Sequence, residues 1–241
     1  MDFVHREHAL KVLIPLFSFV SLFAQIRFID HVTPTTQPFE TYLFVTNFRD
    51  IPCDIQFLPY DIEGNRLPDV SFSLQGHQSI KYKSDDVFGT NPVSHFQILG
   101  DTHCGVTIGY QLYDGQGATA HLIESPQRYT DFLIYPGEPE YIFDGMAAVN
   151  FGVDPAIITA YVRASDGSDI NVVELTDGLP RLHKGLWLLD ELVTPDTATI
   201  VIHSTEPLDV TLLRGTRPHV VPGYLFEVVP ISEPSEDFKA P

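Results

Sequence analysis

An all-β chain built as two sandwiches in tandem is predicted by three observations. Short runs rich in Val, Ile, Phe, Tyr and Thr, alternating apolar with polar residues, fill the chain from about position 26 onward. Gly, Pro, Asp and Asn close these runs at the close, regular intervals of small sandwich domains. The pattern is also written twice. Phe28-Ile29 recurs as Phe132-Leu133, Phe39 as Phe143, Pro52 as Pro155, Gly64 as Gly167, Lys81 as Lys184, and Val106-Thr107 as Val210-Thr211, with offsets such as 132 − 28 = 104 and 167 − 64 = 103. A steady offset of that size is one small β-domain, repeated.

Residues 1–24 read as a secretory signal peptide. Arg6 and Lys11 precede a charge-free apolar run, Val12 to Ala24, that is shorter than the roughly 20 residues a bilayer-spanning helix needs. Cleavage is expected after Ala24. A first β-sandwich domain is expected over 25–124, with strands near 26–31, 39–47, 53–60, 69–74, 78–83, 94–99, 104–113 and 118–123. Pro59 interrupts the alternation of Ile55 and Phe57, which marks an edge position or a bulge. A short Pro-containing linker, 125–131, leads to a second domain over 132–229, with strands near 132–135, 142–150, 156–163, 170–175, 181–188, 197–203, 208–214 and 223–229.

The one helix-like stretch, Leu182 to Val193, contains Gly185. It matches a first-half segment that reads as strand then loop, so strand then turn is expected in both. Asp61 to Asn65 and Ser165 to Ser168 stand at matching places as Gly-containing hairpin turns. The tail, 230–241, is polar and expected to be disordered. This strand number and spacing suit immunoglobulin-like sandwiches.

The stretch FETYLFVTNFRDIPCDIQFLPYDIEGN (39–65), its echo FDGMAAVNFGVDPAIITAYVRASDGS (143–168) and the TEPLDV of 205–210 carry a resemblance. In each long stretch a strand ends in Asn, a Pro-containing turn follows, and a second strand runs into an Asp/Gly hairpin. The pattern resembles exported bacterial proteins built of tandem immunoglobulin-like or fibronectin-like modules without assigned activity. The resemblance covers about 200 residues. It implies a fold and an exported setting, and carries over no catalytic residue.

Cys53 and Cys104 are the only cysteines, and an even count in an exported chain predicts a disulfide. It closes a loop of 104 − 53 = 51 residues, for which chain entropy gives about 4 kcal/mol. The second half has Ala156 and either Pro207 or Leu208 at the matching places.

Charge restricts the partners. The chain carries 14 Lys and Arg against 32 Asp and Glu, a net −18. Removing the leader takes away two of each sign and leaves that balance unchanged. Such a surface repels nucleic acid and anionic membranes.

No residue set announces chemistry. His5 and His8 lie in the leader, and His31, His77, His95, His103, His121, His183, His203 and His219 are scattered singly, outside any zinc spacing. Asp85-Asp86, Asp61/Glu63, Asp166/Asp169 and Asp190/Glu191 are hard oxygen ligands, but no calcium-loop motif joins them. A serine-hydrolase elbow is missing from the sequence. Glycan-stacking aromatics could come from Tyr60, Tyr82, Tyr110, Tyr113, Tyr135, Tyr141 and Trp187. Tyr110 and Tyr113 face opposite sides of a strand, which puts one in the core, and Trp187 is expected to be buried.

The expectation is therefore a non-catalytic structural or protein-interaction module without cofactor or metal. It is secreted or periplasmic, with no stable membrane anchor after signal cleavage, and its partner is a protein or a glycan. The rival is a carbohydrate-binding sandwich module of the cell envelope. An enzyme would need an acidic cleft at the domain junction holding a carboxyl of raised pKa.

Overall fold

Antiparallel pairing accounts for every β-ladder of the computed structural model, which describes residues 27–33, 39–112, 119–123, 128–217, 219–220, 224–228 and 231–232. The expected leader, its cleavage point after Ala24, Tyr113 and most of the tail lie outside the described residues.

The first half contains β1 (Arg27–Ile29), β2 (Phe39–Asn47), β3 (Cys53–Tyr60), β4 (Val70–Leu74), β5 (Ser79–Lys83), α1 (Ser84–Phe88), β6 (His95–Gly100), β7 (Cys104–Leu112) and β8 (Thr119–Ile123). They form two four-stranded sheets, β1-β6-β3-β4 and β5-β2-β7-β8. Alternate residues turn inward. Ile29, Ile55, Phe57, Phe96 and Ile98 of one sheet meet Leu43, Val45, Val106, Ile108 and Tyr110 of the other in a single buried cluster. This all-β arrangement is that of a β-sandwich. Pro59 sits beyond the β3–β4 ladder, which ends at Phe57; its carbonyl still accepts from the Leu67 N–H at 2.9 Å, and its missing N–H costs no bond of that ladder.

The second half contains β9 (Tyr129–Ile134), β10 (Ile142–Asn150), β11 (Ala156–Arg163), β12 (Asp169–Leu179), β13 (Lys184–Leu188), a 3₁₀ turn (Leu189–Leu192), β14 (Thr199–Thr216), β15 (Leu225–Val228) and β16 (Ile231–Ser232). β14 is one continuous strand with two sets of neighbours. Its residues 199–204 pair with β11, its stretch 200–203 with β9, and its residues 208–216 with β10 and in part β15. The neighbour order is thus β9-β14-β11-β12 on one side and β13-β10-β14-β15 on the other. Phe132, Ile134, Ile158, Ile200 and Ile202 face Met146, Ala148, Leu208 and Leu212 in a second core.

The pairing order of the first half therefore recurs in the second, with β14 standing for both β6 and β7. Asn47 and Asn150 mark equivalent places, and both are buried. Asn47 Nδ2 donates to the carbonyls of Ile51 (2.7 Å) and Gln75 (3.0 Å), and Oδ1 accepts from the Arg49 N–H at 3.0 Å. Asn150 does the same with Asp154 (2.8 Å), Leu179 (2.8 Å) and the Gly152 N–H (2.7 Å). One side chain thereby satisfies backbone groups of two connections at once. The turns at Gly64 (φ +74°) and Gly167 (φ +84°) also match, each glycine N–H returning to the carbonyl three residues back.

Ladder register corrects three of the sequence pairings. Val149 faces Lys184 and Thr46 faces Ser79, so Lys184 corresponds to Ser79 and not to Lys81. Ile202 faces Phe132 and Ile98 faces Arg27, so Phe28-Ile29 matches Leu133-Ile134. Phe39 corresponds to Ile142 rather than Phe143. The offset drifts because two register shifts in the β11–β12 ladder place extra residues in β12, whereas β3–β4 pairs without a shift, and because the connection from β9 to β10 is shorter than that from β1 to β2. The connections leading into β5 and β13 still each carry a non-glycine residue of positive φ, His77 (+58°) and Leu182 (+61°).

Other local differences have simple causes. The segment after β5, expected as loop, forms the single turn α1, because Phe88 is drawn onto Phe57 and Phe96. β9 begins at Tyr129, inside the expected linker. β16 lies inside the expected disordered tail because it finds an edge to pair with on β9. Cys53 and Cys104 form a disulfide across the two sheets of the first half, with Cα atoms 6.4 Å apart. Their counterparts by register are Ala156 and Leu208, both fully buried in the second core. No helix among the described residues is long and apolar enough to cross a membrane.

Candidate functional site

The two halves meet through a buried polar cluster that begins where β1 ends. Asp30, His31, Val32 and Thr33 continue β1 and are all buried. Lys184, the first residue of β13, reaches them from the second half. Its ammonium donates to the Ser94 carbonyl at 2.7 Å and to the Val32 carbonyl at 3.5 Å, and lies 3.3 Å from His31 Nδ1. These three contacts match the three donors of an ammonium. The Lys184 backbone N–H also donates across the junction, to the Ile62 carbonyl at 3.0 Å.

Asp30 completes the cluster. Thr211 Oγ1 lies 2.6 Å from each of its carboxylate oxygens. Burial pushes the Lys184 ammonium down to about 7, and Asp30 pulls it part of the way back. Burial raises the Asp30 carboxyl, against the Thr211 hydrogen bond and the Lys184 charge. Burial, then the Lys184 charge, hold His31 well below the usual imidazole range. The ring is therefore neutral near pH 7. With Nδ1 accepting from the ammonium, Nε2 carries the proton.

Apolar contacts flank the cluster. Phe151 meets Phe28 edge-to-face at 4.4 Å, and the Arg128 guanidinium lies 3.8 Å over the Phe151 ring. The Gly64 turn abuts Leu182, so closely that a Cβ on Gly64 would come within 2.8 Å of the Leu182 carbonyl oxygen.

Beside the cluster lies a cavity of about 340 Å³. Met146 and Leu212 point into the second core, so their neighbours Gly145, Ala147, Thr211 and Leu213 form the opposite, outer face of the same sheet. Gly145 and Ala147 make the floor. Leu186, Leu188 and Leu213 make the walls, with Trp187 contributing beside them. The closed end is polar, with His31, Thr33 and Thr211. Tyr110 also lines it, with its hydroxyl donating to the His31 carbonyl. Leu186 and Leu188 are exposed by 52% and 49%. An apolar cavity between two packed bodies, with a few convergent polar groups, is the usual form of a ligand site.

The residues singled out from sequence fall mostly elsewhere. Tyr110 is the core member of its pair, fully buried. Trp187 is only partly buried, its Nε1–H on the Leu175 carbonyl at 3.2 Å. Tyr60 is buried and Tyr82 half-exposed, whereas Tyr135 and Tyr141 are displayed. Four of the eight acids named as hard ligands are tied into local structure. Asp61 caps its turn through Asn65, Asp166 bonds Ser168, Asp169 pairs with Arg163 and Asp190 with Arg217. Among the described residues no three His, Cys, Asp or Glu side chains gather as a metal-binding group.

The enzyme criterion is met in one respect. Asp30 is a junction carboxyl with a raised pKa, but it is buried against Thr211 and Lys184 rather than open to a cleft. Sequence reasoning missed this cluster. The available signal was an Asp-His pair directly after the apolar run of β1. No family model, curated protein or solved structure matches the chain.

Proposed function

We propose that the chain is an exported, non-catalytic interaction module. In this reading two immunoglobulin-like sandwich domains, residues 25–124 and 132–229, stand behind a leader removed after Ala24, and the protein works in the periplasm or outside the cell. The recurrence of the strand order and the disulfide support the tandem, exported architecture. The observation that carries the function is the junction cavity. Its polar groups are few and already bonded to one another, an arrangement suited to holding a partner rather than turning one over.

Affinity capture from the native envelope fraction with the full chain, read by mass spectrometry, tests the reading. A partner retained by wild type and lost from the Leu186→Lys, Leu188→Lys variant is expected. Turnover on a hydrolase panel that disappears in Asp30→Asn would sink it.

A glycan-binding reading has one observation in its favour. Tyr135, Tyr141 and Tyr224 are exposed by 59%, 49% and 56%. Their backbones are drawn to one end of the second half, where their carbonyls accept from Arg214, Arg217 and Thr216 respectively. A glycan array that lights up with wild type and goes dark when these three are replaced by Ala would favour it.

A further inference from the structure

We infer that the junction cavity binds the aliphatic chain of a small uncharged amphiphile, with a hydroxyl or amide head at the His31–Thr211 end. The inference deepens the interaction reading and rests on it.

Four observations converge. The volume of about 340 Å³ holds on the order of ten non-hydrogen atoms, a water-sized group taking about 30 Å³. That excludes a folded domain or a bulky oligosaccharide as the occupant. Second, the walls and floor offer only hydrocarbon along most of their length. Chain burial is the interaction they reward.

Third, the matching face of the first half is built oppositely. By register, Gly145 and Ala147 stand where Tyr42 and Phe44 stand, and Leu186 and Leu188 where Lys81 and Lys83 stand. In the first half the Lys81 ammonium lies 4.1 Å from the Tyr42 ring centroid, and Lys83 pairs with Glu40 at 2.8 Å. Rings have become Gly and Ala, which hollows the face. Lysines have become leucines, which dries it. The hollow also continues the interface between the halves, since Tyr110 and His31 of the first half close it.

Fourth, the polar end is electrically spent. The Lys184 ammonium and the Asp30 carboxylate answer each other, and the Tyr110 and Thr211 hydroxyls already donate. A neutral His31 leaves an N–H donor, and the Thr211 oxygen an acceptor. A hydroxyl or amide head can use both. A carboxylate or ammonium head would be desolvated there without a free counter-charge.

The test is a calorimetric titration of the full chain at pH 6, where the Lys184 ammonium is charged, with 1-octanol, sodium octanoate and octylammonium chloride. Saturable binding of 1-octanol is expected, with both charged probes at least about tenfold weaker.

Gly145→Tyr restores the first half's residue and fills the hollow. A Cβ there meets nothing nearer than the Leu213 carbonyl oxygen at 3.7 Å. This variant should keep the wild-type melting temperature and lose at least about tenfold in octanol affinity. Should it fail to fold, the rim variant Leu186→Lys, Leu188→Lys decides by the same criterion.

Absent saturation by 1-octanol, or affinity unchanged in the filled variant, overturns the inference. Equal binding of octanoate overturns the uncharged head. Saturation by an extended apolar peptide but not by octanol overturns the ligand class while leaving the interaction reading intact. Catalytic turnover would remove that reading independently.

Discussion

The outer faces of two equivalent sheets, β5-β2-β7 in the first half and β13-β10-β14 in the second, differ at nearly every position. Glu40, Tyr42, Phe44, Lys81 and Lys83 give the first a charged, ring-covered exterior. Phe143, Gly145, Ala147, Leu186 and Leu188 give the second an apolar hollow. The inward faces have kept one plan: Leu43, Val45, Val106 and Ile108 on one side, Met146, Ala148, Val210 and Leu212 on the other, all members of or packed against their cores. Register is enforced only by the buried face, because a one-residue slip would turn every core residue to solvent. The outward residues of the same strands are under no such constraint, and there the halves diverged.

The change expected to have the largest effect is an exchange of core devices. Cys53→Ala with Cys104→Leu gives the first half the apolar pair of the second, Ala156 and Leu208. It should lower stability by about 2–4 kcal/mol, the chain entropy of the lost crosslink being offset in part by the added Leu. The reciprocal Ala156→Cys, Leu208→Cys should form a second disulfide, visible as a mass shift on alkylation with and without reductant. Failure to crosslink would show that the two sites are less alike than their register indicates.

Next comes a break in the joint on which the comparison stands. Lys184→Met should cost roughly 1–3 kcal/mol in urea unfolding, because it takes the ammonium donor from the buried Ser94 carbonyl and His31 Nδ1 and removes the positive charge that favours the Asp30 carboxylate. Asp30→Asn combined with Lys184→Met should recover the electrostatic part of that loss. A single mutant indistinguishable from wild type would mean that the halves do not depend on this contact.

A pH profile sharpens the comparison at His95, whose counterpart is Thr199. Burial, then the Lys184 charge, lowers this imidazole to about 3. The folded ring therefore stays neutral between about pH 3 and 6.5, while the unfolded chain takes up a proton there. The unfolded state binds more protons in that window, so stability falls as pH is lowered through it, by about 1.4 kcal/mol per pH unit at most for this one group. His31, shifted the same way, adds to the slope. His95→Thr should make urea midpoints between pH 6.5 and 4 depend less steeply on pH than in wild type.

The smallest effect belongs to the exposed surface. Lys83→Leu copies Leu188 and removes the ion pair with Glu40. It should change the melting free energy by no more than about 1 kcal/mol, since exposed pairs contribute little.

The sequence announced most of the strands because their cues are local. Alternation in β3, the Gly64 and Gly167 turns, and the Asn before each Pro-containing turn are each written within a few neighbouring residues. α1 escaped because a single turn has no period to detect, and its anchor, Phe88, answers to Phe57 and Phe96 rather than to its neighbours. The Lys81–Lys184 match misled because identity was taken for equivalence. Ladder register, a long-range property, moved Lys184 by two positions and into the junction.

The candidate site was the least legible part. Its members, at positions 30, 31, 94, 184 and 211, come from four distant stretches and form no motif. Only folding brings them together.

β14 carries a consequence of its own. In the first half, Asp101 to His103 interrupts the chain between β6 and β7, and the disulfide ties the two sheets across that gap. In the second half one uninterrupted strand of 18 residues crosses from sheet to sheet. A pull on either end of that strand is transmitted to both layers at once, so the second half should yield to load as a whole, whereas the first can loosen one layer while its crosslink keeps the other in reach.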